Sequence, residues 1–343
     1  MASALCNAQQ PYTENLNMNK HLRAAFKLAA LMLTSVCLTA PSLAQNFPTK
    51  PIRLVVPFGP GGVGDITART VAQKMGEAMG QQIIIDNRPS AGGVVAAEMV
   101  ARAEPDGYTL MLLNNANAVS MAMFKSLPYD TLKDYTMVST IAAFSAGVLV
   151  APDSPVKTTK ELIALARSTG AKFNGGTIQI GTAQHLTAEL FKSMAGLTYT
   201  NVPFNNTGAV IAALRGGDIQ VAFEFLPPVL AQIRANALRV VAVSSKTRFA
   251  PLPNVPTLDE SGLPGYDVNS WNGIGAPAKT PRAIVERLNK EIHIAVNAPT
   301  VKQRFAELGI EPNLSTPESM RSFVTSEIAK WNALIDKARI PRL

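Results

Sequence analysis

The chain has 343 residues and a formal net charge of +8, with 32 basic and 24 acidic residues. The basic residues are scattered and aromatic residues make up only 6 %, so the composition does not favour a nucleic-acid-binding protein. Both cysteines, Cys6 and Cys37, lie in the first 44 residues, and only His185 and His293 follow them. We therefore expect no disulfide framework, no metal site, no cofactor and no histidine-based catalytic centre in the rest of the chain.

Residues 18–44 have the pattern of a secretory signal peptide. Three basic residues precede an apolar segment at 28–40, and small residues at 42 and 44 mark a cleavage site before Gln45. Residues 1–17 fit no such pattern, so we expect them to be untranslated or to have no structural role, with the true start at Met18. The apolar segment is short for a membrane span, and we expect a periplasmic protein of about 300 residues.

Beyond the leader, apolar runs rich in β-branched residues alternate with helical patterns, which predicts an α/β fold with parallel strands. The predicted strands are 52–57, 82–86, 109–113, 147–151, 176–180, 199–202, 221–225 and 240–244. The predicted helices are 65–79, 93–103, 159–168, 184–195, 208–215, 281–297, 300–308 and 317–338. In the last helix, Phe323, Ile328, Trp331 and Ile335 recur at helical spacing, which predicts docking by one face.

Two extended segments, 142–152 and 266–277, both contain small residues and an Ala-Pro pair, which is typical of crossovers between lobes. They predict a first lobe from residues 45–145 and 275–343, and a second lobe from residues 150–265. A ligand cleft would lie between the two lobes.

The most informative turn, FGPGGVGD at 58–65, joins the first predicted strand to a helix. Its glycines permit positive φ, Asp65 can cap the helix, and the helix N-terminus can bind an anion through backbone N–H groups. An ordinary strand-to-helix turn would look similar. Gly59, Gly61 and Gly64 also match the dinucleotide pattern G-x-G-x-x-G. Against that alternative, Pro60 stiffens the turn and Asp65 would place a carboxylate where a pyrophosphate should sit.

The predicted second lobe has two similar turns, residues 181–185 and residues 204–209, and each precedes a helix. Thr182 is a candidate cap and ligand donor in the first of them. If both lobes point helix N-termini into one cleft, a diacid could be held at each end. The roles of three residues stay open at this point. Glu224 is either a cleft acid or a surface acid, His185 is either packed or a ligand contact, and Trp271 is either core or cleft wall.

Seven motifs in order resemble the Bug-type (TctC-like) receptors of tripartite tricarboxylate transporters, and the resemblance covers essentially the whole exported chain. The motifs are KPIRLVVPFGPGGVGDITAR at 50–69, DNRPSAGG at 86–93, EPDGYTL at 104–110, LPYDTLKDY at 127–135, GTAQHLTAELFKSMAG at 181–196, LPNVPTLDESGLPGY at 252–266 and SWNGIGAPAKTP at 270–281.

The resemblance implies a type II periplasmic binding-protein fold and a non-enzymatic receptor that closes around a small carboxylate. It also implies a monomer that delivers the ligand to membrane permease subunits, although an exported receptor used for signalling is an alternative. The implied ligand-binding residues are Phe58, Gly61, Gly62, Val63, Asp65, Asn114, Asn117, Thr182, Asn206, Thr207, Gly208, Ala209 and Glu224.

The chain departs from the family pattern at three places. Val63-Gly64 replaces a usual Ser-Thr pair, Phe204-Asn205-Asn206 replaces Tyr-Lys-Gly, and Glu224-Phe225 replaces a common Asp-Asn pair. These changes remove hydroxyl donors and a cation, while Phe58, Phe204 and Phe225 could line a less polar cleft. We therefore expect a dicarboxylate with an apolar or aromatic middle, such as terephthalate, rather than citrate or a polar amino acid.

Overall fold

The computed structural model describes residues 47–337 and 340–343. The predicted signal peptide, its cleavage site and both cysteines lie outside these residues. Within them, no helix has the combination of length and apolar character that a membrane crossing requires.

The described residues contain a ten-stranded sheet flanked by helices. The strands are β1 (Ile52–Val56), β2 (Ile83–Asn87), β3 (Thr109–Asn114), β4 (Tyr135–Val150), β5 (Asn174–Ile178), β6 (Thr200–Phe204), β7 (Val221–Phe225), β8 (Arg239–Val243), β9 (Asn269–Pro277) and β10 (Glu311–Pro312). The α-helices are α1 (Val63–Met79), α2 (Val94–Ala101), α3 (Asn115–Met123), α4 (Thr159–Thr169), α5 (Ala183–Met194), α6 (Thr207–Gly216), α7 (Leu230–Arg234), α8 (Arg282–Asn297), α9 (Pro299–Leu308) and α10 (Pro317–Lys337).

The sheet has the order β2-β1-β3-β9-β4-β7-β5-β6, with β8 and β10 also paired to β4. Strands β1, β2 and β3 run parallel, as do β5, β6 and β7, because helices connect them as βαβ units. Strands β4 and β9 run antiparallel to their neighbours. The predicted α/β class is confirmed, and the sheet is mixed rather than purely parallel.

Strand β4 joins the two parts of the sheet. Residues Tyr135 to Ser145 pair with β9, whereas the strand from Ala146 onward pairs with β7 and β8. The predicted crossover segments fall here, on the second half of β4 and on β9. The sequence did not predict β9 or the first half of β4 as strands, because their small and polar residues weaken the apolar signal.

The predicted helices all occur, with bounds that differ by one or two residues. Helices α3 and α7 were not predicted. The residues that begin α3 do not indicate a helix in the sequence, since asparagine is a poor helix former in the interior. In the structure Asn114 is the N-cap instead, and its side chain accepts a hydrogen bond from the Ala116 N–H at 2.7 Å.

Helix α10 packs against α3 and β4 with one apolar face, as its spacing predicted. Trp331 and Ile335 are fully buried, while Phe323 and Ile328 are partly buried at the edges of the face. The indole Nε1 of Trp331 donates to Asn115 Oδ1 at 3.2 Å. This bond fixes the first residue of α3 from outside the sheet.

We expect Trp331→Ala to lower the free energy of unfolding by about 3–5 kcal/mol, because it leaves a large cavity. Trp331→Phe should cost clearly less, since it keeps most of the packing and loses mainly the hydrogen bond to Asn115. Urea unfolding followed by circular dichroism measures both changes. Equal losses in the two variants would show that packing of the indole is not the main contribution.

Candidate functional site

One cavity lies where the carboxyl ends of the parallel strands in the two parts of the sheet face each other, the usual ligand position in open α/β folds. Its volume is about 470 Å³ when open solvent is included. The cavity is narrow, however, and the space between its walls holds roughly one water molecule. The lining residues are Phe58, Gly59, Gly62, Val63, Gly64, Asn114, Asn115, Ala116, Phe144, Ile178, Ala183, Gln184, Asn205, Asn206, Thr207, Phe225, Ser270 and Asn272.

Four helices begin at this cavity: α1, α3, α5 and α6. The first N–H groups of a helix have no partner within the helix. The caps Asn114, Thr182 and Asn206 each accept from an N–H group in the first turn, and Gly62 provides no side-chain cap for α1. The remaining N–H groups and the four helix dipoles together favour an anion in the cavity.

Among the described residues that line the cavity, none carries a formal charge. The polar side chains there are amides and hydroxyls, including Asn115, Gln184, Thr207 and Asn272. Neutral donors can hold a carboxylate without a salt bridge, because each hydrogen bond to an ionised group is charge-assisted. The arrangement can therefore bind an anion, and the residues that line the cavity include hydroxyls but no ionisable acid or base.

The loop before α1 is held from behind by Asp65, which is 4 % exposed. Its carboxylate accepts hydrogen bonds at 3.0 Å from Gly61 N–H, Arg69 Nε and Asn87 Nδ2. Burial alone would raise the pKa of Asp65, but these hydrogen bonds and the Arg69 charge outweigh it, so the pKa lies below its usual value. Gly61 has φ of +83°, a conformation that favours glycine.

The loops before α1 and α6 approach each other across the cavity. A methyl group placed on Gly59 would lie 3.2 Å from Asn206 Cβ and 3.3 Å from the Asn205 carbonyl oxygen. A methyl group on Gly62 would lie 3.6 Å from the Thr207 hydroxyl, an ordinary contact distance. Gly59 therefore allows a closer approach of the two loops than any larger residue would.

One wall of the cavity is apolar. Phe144 and Phe225 pack edge to face, with ring centroids 4.7 Å apart and an interplanar angle of 82°. Phe58 and Ile178 extend the same lining. Edge-to-face aromatic pairs hold their geometry better than flexible side chains do, so this wall is a preformed surface for an apolar or aromatic group.

Glu224 lies behind the cavity wall and is 1 % exposed. Its Oε1 accepts from Gln184 Nε2 at 2.9 Å and from the Phe225 N–H at 2.8 Å. Its Oε2 has no hydrogen-bond partner among the described residues. Burial raises the pKa of Glu224 to about 7, although the hydrogen bonds from Gln184 and Phe225 and the nearby Thr207 side chain oppose the rise. Glu224 is thus neither a lining residue nor a surface acid.

Seven of the fifteen predicted ligand-binding residues line the cavity: Phe58, Gly62, Val63, Asn114, Asn206, Thr207 and Phe225. The other eight are close by in the chain but not in the lining: Gly61, Asp65, Asn117, Thr182, Phe204, Gly208, Ala209 and Glu224. Most of these eight support the lining residues through caps and loop hydrogen bonds.

The sequence analysis did not single out Phe144, Gln184, Ser270 or Asn272, which line the cavity from strands and from the start of α5. The sequence signal available for Ser270 and Asn272 was their position in the extended segment 266–277, which ends in an Ala-Pro pair. Trp271 is core, since it is 2 % exposed and its ring centroid lies 5.3 Å from that of Phe323. His185 packs mostly buried outside the lining, and burial lowers its pKa.

Residues 67–340 match the family described as tripartite tricarboxylate transporter family receptor. The protein BugT from Bordetella pertussis is 31 % identical to this chain, covering 89 % of this chain and 94 % of BugT. Rpa4515 of R. palustris, solved with adipate, is 33 % identical with a TM-score of 0.83, covering 87 % of this chain and all of that one. MatC from Rhodopseudomonas palustris, solved with malate, is 29 % identical with a TM-score of 0.80, covering 84 % of this chain and all of that one.

We expect Asp65→Ala to lower the free energy of unfolding by about 2–3 kcal/mol at pH 7, because Gly61 N–H and Asn87 lose a charged acceptor. Since folding lowers the pKa of Asp65, its contribution is present above the unfolded value of about 3.9 and is lost as the pH falls below it.

Urea unfolding at pH 7 and at pH 3 measures the contribution of Asp65. The matched control is Glu77→Ala, which removes an exposed acid from the same helix and should change stability much less than Asp65→Ala does. Similar losses in Asp65→Ala and Glu77→Ala would contradict the proposed loop support.

Proposed function

Because this chain belongs to the tripartite tricarboxylate transporter receptor family, we propose that it captures a dicarboxylate with an apolar or aromatic middle, such as terephthalate. Members of this family are solute-binding receptors and not enzymes, so the dinucleotide-dependent oxidoreductase suggested by the glycine pattern is set aside. The family is one of periplasmic binding proteins, and we propose that an export signal at residues 18–44 delivers this chain to the periplasm.

The observation that carries the proposal is the convergence of four helix N-termini on a cavity whose lining is uncharged. Such a cavity favours an anion through backbone donors, and it has no lysine or arginine that would select a highly charged ligand. Two relatives were solved with adipate and with malate, and both of these ligands are dicarboxylates.

The preference for an apolar middle rests on the wall formed by Phe58, Phe144, Ile178 and Phe225. A ligand with hydroxyl or amino groups along its middle would lose hydration there without gaining hydrogen bonds. An aromatic ring between two carboxylates would instead bury apolar area against the Phe144–Phe225 pair.

We also propose that two lobes, residues 45–145 with 275–343 and residues 150–265, open and close about segments 142–152 and 266–277. The narrow cavity supports this, because a dicarboxylate needs more space than roughly one water molecule and its walls must separate for entry. A ligand that binds the closed state better shifts the population toward it. In this proposal the closed monomer then docks on membrane permease subunits.

Thermal melting with a panel of acids tests the proposed ligand class. At 100 times the dissociation constant, a ligand stabilises the folded state by about 2.7 kcal/mol, which for a protein of this size raises Tm by roughly 5 °C. We expect such shifts with terephthalate or adipate, and smaller shifts with citrate or glutamate. Tight calorimetric binding of citrate or glutamate, without binding of the aromatic acid, would contradict the proposal.

A matched pair of core variants tests whether the aromatic wall contributes to binding. Phe144→Leu should weaken terephthalate binding by about fivefold, because an edge-to-face contact is worth roughly 1 kcal/mol beyond its buried area. The control is Phe191→Leu, since Phe191 forms a similar buried pair with Phe223 outside the lining. Both variants should lose stability, and only Phe144→Leu should lose affinity, as measured by calorimetry.

Gly59→Ala tests closure. The added methyl would press on the α6 loop only when the loops approach, so we expect severalfold weaker binding with little change in the Tm of the unliganded protein. Gly62→Ala, where the methyl finds ordinary contact space, should weaken binding less. An unchanged affinity in Gly59→Ala would show that the ligand-bound state does not bring these loops together.

A further inference from the structure

We propose that Glu224 and Thr207 form a proton-linked switch that sets the affinity of the cavity for its anion. When Glu224 Oε2 carries a proton, it donates to the Thr207 hydroxyl, and that hydroxyl donates to the bound carboxylate. When Glu224 is ionised, the Thr207 hydroxyl donates to Glu224 and turns an oxygen lone pair toward the ligand. The inference rests on the proposed function, because it requires an anion in the cavity.

The hydrogen bonds of Glu224 leave only one of its oxygen atoms available. Oε1 is occupied by Gln184 Nε2 and the Phe225 N–H, whereas Oε2 is buried without a hydrogen-bond partner among residues 47–337 and 340–343. A buried carboxyl oxygen without a donor is costly when it is charged. A proton from solvent therefore belongs on Oε2, where it also provides the missing hydrogen-bond donor.

Thr207 is the side chain that connects Oε2 with the ligand. It is the first residue of α6 and lines the cavity, and its side chain lies near the Glu224 carboxyl, although the described residues show no hydrogen bond between these two side chains. A threonine hydroxyl has a single proton to donate. Its direction of donation consequently depends on whether Glu224 is a donor or an acceptor.

The surroundings of Glu224 supply no compensating charge. Burial is the main cause of its raised pKa, and the hydrogen bonds from Gln184 and Phe225 and the nearby Thr207 side chain, rather than a charged neighbour, oppose the rise. Strand β5 and the part of β4 beside it contribute no titratable side chain. The titratable groups on the other elements around it are His185, Glu189 and Lys192 on α5, Arg215 on α6, Arg239 on β8, and Asp65 and Arg69 on α1.

Most of these groups already have other partners. Glu189 pairs with Lys192, Asp65 pairs with Arg69, and Arg239 donates to backbone carbonyls. Burial lowers the pKa of His185, which favours its neutral ring. The pH dependence between 6.5 and 8.5 is therefore assigned to Glu224.

The direction of the effect follows from linkage. With a pKa of about 7 in the free protein, Glu224 is mostly neutral at pH 6.5 and mostly ionised at pH 8.5. A bound anion favours the protonated form, so binding at pH 8.5 takes up a proton from solvent and becomes weaker. For one such group the dissociation constant can rise by at most about 20-fold across this window.

Calorimetry with terephthalate and with adipate at pH 6.5 and 8.5 tests the switch. Both acids are fully ionised over this range, because carboxylic acids of this type have pKa values near 4. We expect the dissociation constant of the wild type to rise at least fivefold. At pH 8.5, titrations in two buffers of different ionisation enthalpy should show net proton uptake when the ligand binds.

Glu224→Gln should bind with less than a twofold difference between the two pH values and without proton uptake, because the amide donates permanently to Thr207. The matched control is Glu77→Gln, an exposed acid on α1, which should show the same pH dependence as the wild type. Thr207→Val should bind weakly at both pH values without a pH dependence, whereas Thr207→Ser should retain it.

A wild-type affinity that is equal at both pH values would overturn the switch while leaving the proposed function intact. The same holds for a pH dependence that persists in Glu224→Gln or, if that variant does not fold, in Thr207→Val. If none of the acids binds at pH 6.5, both the proposed function and the switch are wrong.

Discussion

The site depends on one constraint, namely that β4 is shared by both parts of the sheet. Its first half pairs with β9, and from Ala146 onward it pairs with β7 and β8. This single strand brings the carboxyl ends of two separate sets of parallel strands to face each other. Helices α1 and α3 follow strands of one set, and α5 and α6 follow strands of the other, so their N-termini converge because of the path of β4.

The loops at the cavity are held by groups that a ligand does not touch. Asp65 supports the loop before α1, Asn114 caps α3 from its own strand end, and Trp331 holds Asn115 from the far side of the sheet. Ordering these loops before the ligand arrives lowers the entropy that binding would otherwise lose. Asp65 thus positions a loop with its charge, whereas the lining of the cavity is neutral.

The sequence predicted the α/β class, the eight helices outside α3 and α7, and the turns at α1, α5 and α6, because these carry periodic apolar residues, glycines and caps. It did not predict β9, where Asn269, Ser270 and Asn272 interrupt the apolar pattern and make strand propensity weak. It also could not separate a residue that faces the ligand from one that supports such a residue. Asp65 and Phe58 belong to one motif, yet only Phe58 lines the cavity.

If backbone N–H groups bind the anion, as proposed, this has a consequence for how the scaffold can diversify. A backbone N–H group is present with nearly every residue type. Most substitutions in the loops would therefore leave the hydrogen bonds to the carboxylate in place. The wall residues Phe144 and Phe225 have no such constraint and can be exchanged while the charge recognition is retained. One ancestral receptor could thus give rise to many paralogues of different ligand preference, and an engineer could convert it into a reporter for a chosen diacid by redesigning that wall alone.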